Sequence, residues 1–268
     1  MHCEEQRYAI REVAELTGIK PVTLRAWQRR YNIIQPQRTD KGHRLYTQQH
    51  IEQIKTIQGW LEKGVAIGKV KALLESDCDL VDDDISDNEQ LLEVELMLVA
   101  LTELNKNKAE SILTQVFKEY PLALVQRRFI DPIYGAIKQV KRAQQTLLLG
   151  MFQSLLLFRT SAILEAENKV AHDGKCLVVS YDDLGSINLR LWALSLAEKG
   201  YNISIIEAVD DASALVGSLA LEKYTSISFF ASQSPSQGQL PVIEKLRCHY
   251  GEACLLNPLL GSLIQAKG

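Results

Sequence analysis

The spacing of apolar residues changes near residue 175, and this change demands more than one kind of architecture. Up to about residue 169 the apolar residues recur at helical spacing, as they do from Leu147 to Ala166. Beyond it, short runs rich in β-branched and aromatic residues (175–181, 201–208 and 226–232) alternate with helical stretches (184–200, 211–223 and 239–251). Such alternation is typical of a parallel sheet with crossover helices. We therefore predict a mixed, multi-domain chain with an α/β C-terminal part.

The N-terminal quarter has the pattern of short helices interrupted by turns. Helical periods cover 10–17 and 21–31, and only a few residues around Gly18 separate them, which predicts a helix-turn-helix. Pro36, Asp40 and Gly42 then exclude a helix, and a short strand returns at 44–46. This segment is predicted to be a small hairpin, followed by helices at about 47–63 and 67–76.

The second of these helices combines an apolar stripe with strong positive charge. Leu24, Trp27 and Tyr31 lie on one face and are predicted to be buried. The opposite face is predicted to carry Val22, Ala26 and Arg29, with Arg25 and Arg30 on its flanks. Small residues flanked by arginines suit close approach to a phosphate backbone or a guanine edge. A solvated basic face is the alternative for an isolated helix.

The distribution of charge favours nucleic-acid binding by the N-terminal part. Residues 1–75 hold 13 basic and 8 acidic residues, whereas the whole chain has a net charge of −3. Residues 76–95 contain nine acidic residues and no basic one. Charge separated in this way is typical of a DNA-binding module attached to an acidic body.

Four segments follow from these patterns. We predict a DNA-binding domain at 7–76, an acidic linker at 77–87, a helical bundle at 88–169 and an α/β domain at 174–266. The longest apolar run, 146–158, is interrupted by Gln153 and Ser154, so it is predicted to be a buried core helix and not a membrane span. Five scattered cysteines without a CxxC pair favour a reducing, cytoplasmic location.

Residues 8–54, with their "TLRAWQRRY" helix and "GHRLY" hairpin, resemble the DNA-binding domain of MerR-type transcriptional regulators. The resemblance covers about 7–76 and implies a winged helix-turn-helix, in which the hairpin is the wing. It also implies a homodimer that binds promoter DNA at a palindromic site and distorts it, so that RNA polymerase engages the promoter. The expected role is that of an activator.

The resemblance directs DNA contacts to particular residues of the second helix and the wing. Major-groove contacts are expected from Val22, Thr23, Arg25, Ala26 and Arg29, and a backbone contact from Arg30. In the wing, Arg38, His43 and Arg44 are expected to meet phosphates or the minor-groove edge, and Tyr46 a phosphate.

The order of bundle and α/β domain is similar to that of the cobalamin-binding, light-sensing MerR regulators, which implies a flavodoxin-like fold. That subgroup has Asp-x-His-x-x-Gly after the first strand, and the histidine ligates cobalt. Here the aligned stretch is "SYDDLG", with Ser180 and Asp182 in place of the aspartate and the histidine. A carboxylate substitutes poorly for the neutral imidazole nitrogen. The fold is therefore expected to be retained and cobalamin to be absent as a cofactor.

Other clusters of reactive side chains are weaker candidates for sites. Asp182 and Asp183 follow the first strand, where they could bind Mg²⁺ or accept a phosphoryl group, but a solvated loop with a helix cap near Asp183 is preferred. Cys248, His249 and Cys254 lack a recognisable metal spacing, so no metal is expected. Arg127, Arg128 and 138–142 are expected to lie on solvated faces, with contact to flanking DNA or a partner subunit as the alternative. No motif of an enzyme is present in the sequence.

Two alternatives to a ligand-free activator stay open at this point. In the first, the α/β domain binds a small molecule, such as a nucleotide or an atypical corrinoid, and switches DNA binding. In the second, the C-terminal body is an adaptor that binds a signalling protein.

Overall fold

The computed structural model describes residues 6–39, 41–63, 65–75, 90–236 and 238–265. The predicted linker at 77–87 lies outside these ranges, as do Asp40 and Gly64. The chain divides into two compact units, Met1–Phe152 and Gln153–Gly268. This division falls inside the last helix of the predicted bundle, whereas the sequence boundary was placed after residue 169. The domain limits therefore stay predictions.

The first unit is helical apart from a small sheet. Its helices are α1 (Ile10–Thr17), α2 (Pro21–Ala26), α3 (Gln48–Glu62), α4 (Ile67–Glu75), α5 (Glu93–Thr102), α6 (Lys106–Glu119), α7 (Leu122–Val125), α8 (Asp131–Ile137) and the start of α9 (Arg142–Asn168). Its strands are β1 (Tyr8–Ala9), β2 (Gln37–Arg38) and β3 (Arg44–Tyr46), which form an antiparallel sheet of order β1-β3-β2. These elements include the predicted helix-turn-helix and hairpin.

Local sequence explains the turn between α1 and α2. Gly18 ends α1 with φ +71°, a left-handed conformation that glycine adopts at little cost, and its N–H donates to the carbonyl of Ala14. Pro21 then occupies the start of α2, where the missing N–H is not needed. A hydrogen bond from α3 also stabilises this turn: the Gln58 side chain donates to the Thr17 carbonyl at 2.9 Å.

The second helix of the helix-turn-helix continues beyond α2 with a turn of larger radius. Trp27–Tyr31 continue it as one π-helical turn, which we call the 27–31 turn, and Asn32 ends it in a left-handed conformation with φ 54°. A second π-helical turn, Gln126–Ile130, joins α7 to α8. Turns of this kind are uncommon and often occur at functional sites.

The core of the bundle helices is apolar and continuous. Its buried side chains come from each of α5 to α8 and from the start of α9: Val94, Met97, Ala100, Leu101, Ala109, Leu113, Val116, Leu124, Val125, Phe129, Ile130, Ile133, Ile137, Leu148 and Phe152. The ring of Tyr134 meets that of Phe152 edge to face, with centroids 5.3 Å apart. The predicted run of helices with short polar breaks is present here.

The helix α9 is long and apolar enough to cross a membrane, the one such helix in the described parts of the chain, with a mean hydropathy of 1.6 over a window that is 33% buried. Long core helices of soluble proteins have the same composition. Leu148, Phe152 and Leu156 are buried, whereas Leu147 and Phe158 are exposed. The expectation of a buried core helix thus holds for one face of α9.

The second unit is built on a parallel sheet of four strands. The strands are β4 (Lys175–Ser180), β5 (Asn202–Ile206), β6 (Ser226–Phe230) and β7 (Cys254–Leu256), and their order is β5-β4-β6-β7. The helices are α10 (Ile187–Ala197), α11 (Gln239–Tyr250) and α12 (Pro258–Gln265). β4 and β6 are apolar and buried along nearly their whole length, as expected of central strands covered on both faces.

One prediction about this unit is wrong. The expected helix at 211–223 is absent, because Gly217 with φ +74° separates two short 3₁₀ turns, Ser213–Leu215 and Leu219–Leu221. The side chain of Asp211 also accepts the N–H and hydroxyl of Ser213, which stabilises a turn instead of a helix. The sequence analysis also missed β7 and α12, since a strand as short as "CLL" has no detectable period.

Asn168, at the end of α9, extends the hydrogen bonding of the edge strand β5. Its side-chain oxygen accepts the N–H of Ile203 at 2.7 Å, and its side-chain nitrogen donates to the carbonyl of Ile203 at 2.9 Å. The side chain of Asn202 donates in turn to the Asn168 carbonyl. One amide group thus satisfies both polar groups of an edge residue.

Replacing Asn168 by alanine should destabilise the second unit. Two backbone groups lose their partners, which costs about 1–3 kcal/mol when such groups are buried. Urea unfolding followed by circular dichroism measures the loss, and Asn188→Ala on the exposed face of α10 is the control. Equal unfolding midpoints for the two variants would show that Asn168 does not stabilise β5.

Candidate nucleic-acid interface

The second helix of the helix-turn-helix exposes part of its predicted DNA-binding face. Val22, Arg25 and Arg29 are exposed, whereas Leu24 and Trp27 are fully buried, as the sequence predicted. Positive charge is therefore available to a ligand on the side of the helix away from its core.

Two residues expected on this face are buried. Thr23 is 3% exposed and Ala26 is 7% exposed, so neither is available to a DNA base in this conformation. The prediction from sequence gave this helix one buried face, but α2 packs against both α1 and α6. A helix between two neighbours buries more than one stripe, which corrects the predicted placement of these residues.

Arg30 has a partner within the protein as well as an exposed part. Its guanidinium forms an ion pair with the carboxylate of Glu119 on α6, although the Arg30 side chain is still 51% exposed. The expected phosphate contact of Arg30 stays a prediction, for an arginine that also holds a buried carboxylate. The partner, Glu119, is 0% exposed, so the charge of Arg30 compensates a carboxylate removed from water.

Two more groups of the 27–31 turn reach the same glutamate. The indole N–H of Trp27 donates to the backbone carbonyl of Glu119 at 2.8 Å, and the hydroxyl of Tyr31 donates to its carboxylate at 2.6 Å. Burial, together with this hydrogen bond, raises the pKa of Tyr31, so its hydroxyl stays protonated and remains a donor. Glu119 was not among the site residues predicted from the sequence. The available signal was a buried Trp–Tyr stripe, since a buried indole N–H and phenol usually have polar partners.

The hairpin between β2 and β3 lies beside the second helix. The guanidinium of Arg44 donates to the side-chain oxygen of Gln28 at 2.7 Å, which joins β3 to the 27–31 turn. Arg38 and His43 are exposed on the hairpin. The hairpin turn is closed by the Thr39 N–H, which donates to the His43 carbonyl at 2.9 Å.

Tyr46 is buried, contrary to its expected contact with a phosphate. It is 1% exposed, its ring meets the His50 ring edge to face, and its hydroxyl finds no partner among the described residues. Burial raises the pKa of Tyr46, while the charges of Arg44 and Arg25 lower it, which places both guanidiniums near its hydroxyl. Arg25 of the helix and Arg44 of the hairpin therefore share one side of the unit.

Five members of the predicted set are exposed, and we call them together the DNA-contact face: Val22, Arg25, Arg29, Arg38 and His43. Arg44 borders it, with its Nε held by Gln28. The face combines two elements, a helix and a hairpin, as an element for the major groove and one for the adjacent backbone would require.

Arg128, expected on a solvated face, makes a structural contact instead. Its guanidinium donates to the carbonyl of Glu62 at the end of α3, and its own carbonyl accepts the N–H of Leu91. It thus connects the second π-helical turn to the helix that follows the hairpin. Arg127 is exposed, as expected.

In the second unit, Asp182 is held at the carboxyl end of the sheet. Its Oδ1 accepts the N–H of Ser232 at 2.6 Å, and its Oδ2 accepts the hydroxyls of Ser232 and Ser186 at 2.6 and 2.7 Å. Ser186 caps α10 by accepting the N–H of Leu189, which corrects the expected cap near Asp183. Asp182 is therefore a half-buried carboxylate that connects two loops.

A second carboxylate connects two segments at the same carboxyl end of the sheet. Glu207, after β5, accepts the N–H of Gly185 at 2.9 Å and forms an ion pair with Arg190 on α10. In the "CHYGEAC" segment, Cys254 is buried in β7 while Cys248 is exposed on α11. Among the described residues, no three His, Cys, Asp or Glu side chains lie together as a metal site would need.

Glu93, on α5, is the least satisfied ionisable group near the 27–31 turn. One of its carboxylate oxygens is buried without a partner among the described residues. Burial raises the pKa of Glu93, and the negative charge of Glu119 raises it further. A raised pKa in the folded state means that the ionised form is destabilising, so stability increases as the pH falls through the folded-state pKa.

Glu93→Gln should therefore raise the melting temperature of the protein by a few degrees at neutral pH, since a neutral amide costs less to bury than a carboxylate. The difference should shrink in mild acid, where the wild-type carboxyl binds a proton. Calorimetry at both pH values tests this, with Glu95→Gln on the exposed side of α5 as the control. A variant that melts lower than wild type at neutral pH would contradict the argument.

Comparison with known proteins agrees with this geometry. The profile of the MerR HTH family regulatory proteins matches residues 8–77. The HTH-type transcriptional regulator MlrA of Salmonella typhimurium is 31% identical over 200 residues, which cover 74% of this chain and 79% of the relative. MlrA of Escherichia coli is 31% identical over 202 residues. The HTH-type transcriptional repressor CarH of Myxococcus xanthus is 39% identical over 70 residues, 26% of this chain and 23% of CarH.

The match to MlrA extends well beyond the helix-turn-helix, and the exposed basic residues of α2 lie within the matched family domain. The chain belongs to the MerR family of DNA-binding transcriptional regulators.

Proposed function

We propose that this protein binds promoter DNA as a homodimer and activates transcription. The observation that carries the proposal is the DNA-contact face, in which Arg25 and Arg29 of the second helix stand exposed beside a basic hairpin. Arginine binds guanine edges and phosphates through its planar fork, so two exposed arginines on such a helix suit the major groove.

The two elements have separate roles in this proposal. The second helix enters the major groove, with Val22, Arg25 and Arg29 toward the bases. The hairpin is the wing of a winged helix-turn-helix, and Arg38 and His43 contact phosphates or the minor-groove edge. The hydrogen bond between Arg44 and Gln28 supports this division, because it fixes the hairpin relative to the helix.

A two-fold symmetric dimer would place two such faces on a palindromic site. Activation then follows the mode implied by the family resemblance, in which the dimer distorts the promoter and RNA polymerase engages the altered DNA. Action on promoter DNA would place the protein in the cytoplasm. Neither unit supplies a catalytic step in this proposal.

We also propose that the α/β domain has kept a flavodoxin-like fold but does not use cobalamin. The strand order β5-β4-β6-β7 corresponds to 2-1-3-4 within the domain, which supports a doubly wound fold of that type. Asp182 occupies the position of the cobalt-ligating histidine, and both of its oxygens accept hydrogen bonds from Ser186 or Ser232. A carboxylate engaged in this way does not suit the lower face of a corrinoid.

The DNA-binding proposal is tested by mapping genomic sites with tagged protein and footprinting the strongest one. On that site, Arg25→Ala and Arg29→Ala should each weaken binding in a gel shift, since a bidentate base contact is worth about 1–3 kcal/mol. Arg247→Ala, which removes the same charge from α11, should bind as wild type does. If both arginine variants also bind as wild type does, the DNA-contact face is wrongly assigned.

The cofactor proposal predicts that adenosylcobalamin and methylcobalamin leave the melting temperature unchanged. A ligand bound only by the folded state would stabilise it by about 2.7 kcal/mol at a hundredfold excess over its dissociation constant. Operator affinity should also be equal in light and in darkness. Saturable binding of either corrinoid would overturn the proposal and favour a ligand-controlled switch.

A further inference from the structure

The contacts of Glu119 concentrate on one segment of the DNA-binding domain. Its backbone carbonyl and its carboxylate together receive Trp27, Arg30 and Tyr31, which all belong to the 27–31 turn. Within α6, the side chain of Gln115 also donates to the carboxylate at 3.3 Å. One residue of the bundle thus holds one turn of the helix that is proposed to contact DNA.

This attachment is costly to break. The carboxylate of Glu119 is removed from water, and its stability depends on the donors that surround it. Leaving a buried charge without its partners is among the most destabilising changes in a protein. The 27–31 turn is therefore expected to stay on α6 whenever the first unit is folded.

The turn is held from a second side by α4. The ring of Tyr31 lies 3.5 Å from the point where a Cβ on Gly68 would stand, which is van der Waals distance, so the ring lies beside α4. Tyr31 thus lies between α4 and the carboxylate on α6, which defines the rotation of the helix about its own axis.

The exposed arginines depend on that rotation. Arg29 lies inside the 27–31 turn, and Arg25 lies in α2 immediately before it. A bidentate contact with a base needs the guanidinium at a defined distance and angle, while a contact with a phosphate tolerates more variation. Loosening the turn should consequently reduce sequence discrimination more than overall attraction to DNA.

We propose that Glu119 is a positioning residue for sequence-specific DNA recognition, through which the helical bundle sets the orientation of Arg25 and Arg29. The inference rests on the proposed DNA-binding function and adds the bundle to the recognition machinery. Glu119 does not touch DNA. It acts through Trp27, Arg30 and Tyr31.

An inhibitory role for Glu119 would give a different pattern of DNA affinities. If the carboxylate only withheld Arg30 from DNA, its neutralisation would strengthen binding to every sequence, because attraction to phosphate does not depend on sequence. If Glu119 positions the helix, neutralisation weakens binding to the operator and leaves binding to unrelated DNA unchanged. The ratio of the two affinities separates these cases.

The experiment uses the full chain, the footprinted operator and a scrambled duplex of equal length. Glu119→Gln should lower operator affinity about tenfold, equivalent to 1.4 kcal/mol, and leave affinity for the scrambled duplex within about twofold. Glu110→Gln is the matched control, because it removes the same charge from the same helix at a position where Glu110 pairs with the exposed Lys106. The control should behave as wild type on both duplexes.

Tyr31→Phe gives a gentler test if Glu119→Gln fails to fold, since it removes a single hydroxyl and keeps the ring against α4. It should lower operator affinity in the same direction by about threefold, and add little in the Glu119→Gln background because the two groups act through one contact. Amide hydrogen exchange should be faster at 25–31 in both variants, with α5 and α8 unaffected.

Three outcomes decide the matter. Unchanged operator affinity in Glu119→Gln and Tyr31→Phe, or an equal change on both duplexes, overturns the positioning role. The Arg29→Ala variant, measured in parallel, identifies failure of the function itself: if it also binds the operator as wild type does, the DNA-contact face is at fault. If Arg29→Ala loses binding while both other variants keep it, only the role of Glu119 is refuted.

Discussion

A carboxylate removed from water organises the first unit of this protein. Glu119 is buried at the end of α6, and the energetic cost of burying its charge is offset by donors from the second helix of the helix-turn-helix. The DNA-binding domain and the following helices consequently pack as one unit, although the sequence suggests two modules. The orientation of the DNA-contact face is thus a property of the whole unit.

The same packing limits which residues are available to DNA. A helix with neighbours on two sides keeps only a narrow exposed strip, and this strip contains Val22, Arg25 and Arg29, while Thr23 and Ala26 are buried. The hairpin adds Arg38 and His43 to that strip, and the Arg44–Gln28 hydrogen bond joins the two elements.

In the second unit, polar side chains close the edge where α/β folds usually bind ligands. Asp182 joins the loop after β6 to the start of α10, and Glu207 joins β5 to the same helix through Gly185 and Arg190. These bonds stabilise the loops in one arrangement. The proposal that the domain does not use cobalamin therefore rests on more than the single residue at the ligand position. The neighbouring polar residues at this edge also have structural partners within the protein.

The sequence by itself determined the helix-turn-helix with its basic helix, the alternation of strands and helices that gives the parallel sheet, and the family. These features rest on local periodicity, on turn residues such as Gly18 and Pro21, and on a motif contained within a few turns of chain. Only the tertiary structure decided that Glu119 holds Arg30, that Tyr46 is buried and that Thr23 and Ala26 are covered. Glu119 and Arg30 are far apart in sequence, and a surface arginine has the same local pattern whether it meets DNA or a buried carboxylate. Periodicity reports which face of a helix is apolar, but the number of neighbours that cover the helix is set by packing between distant segments.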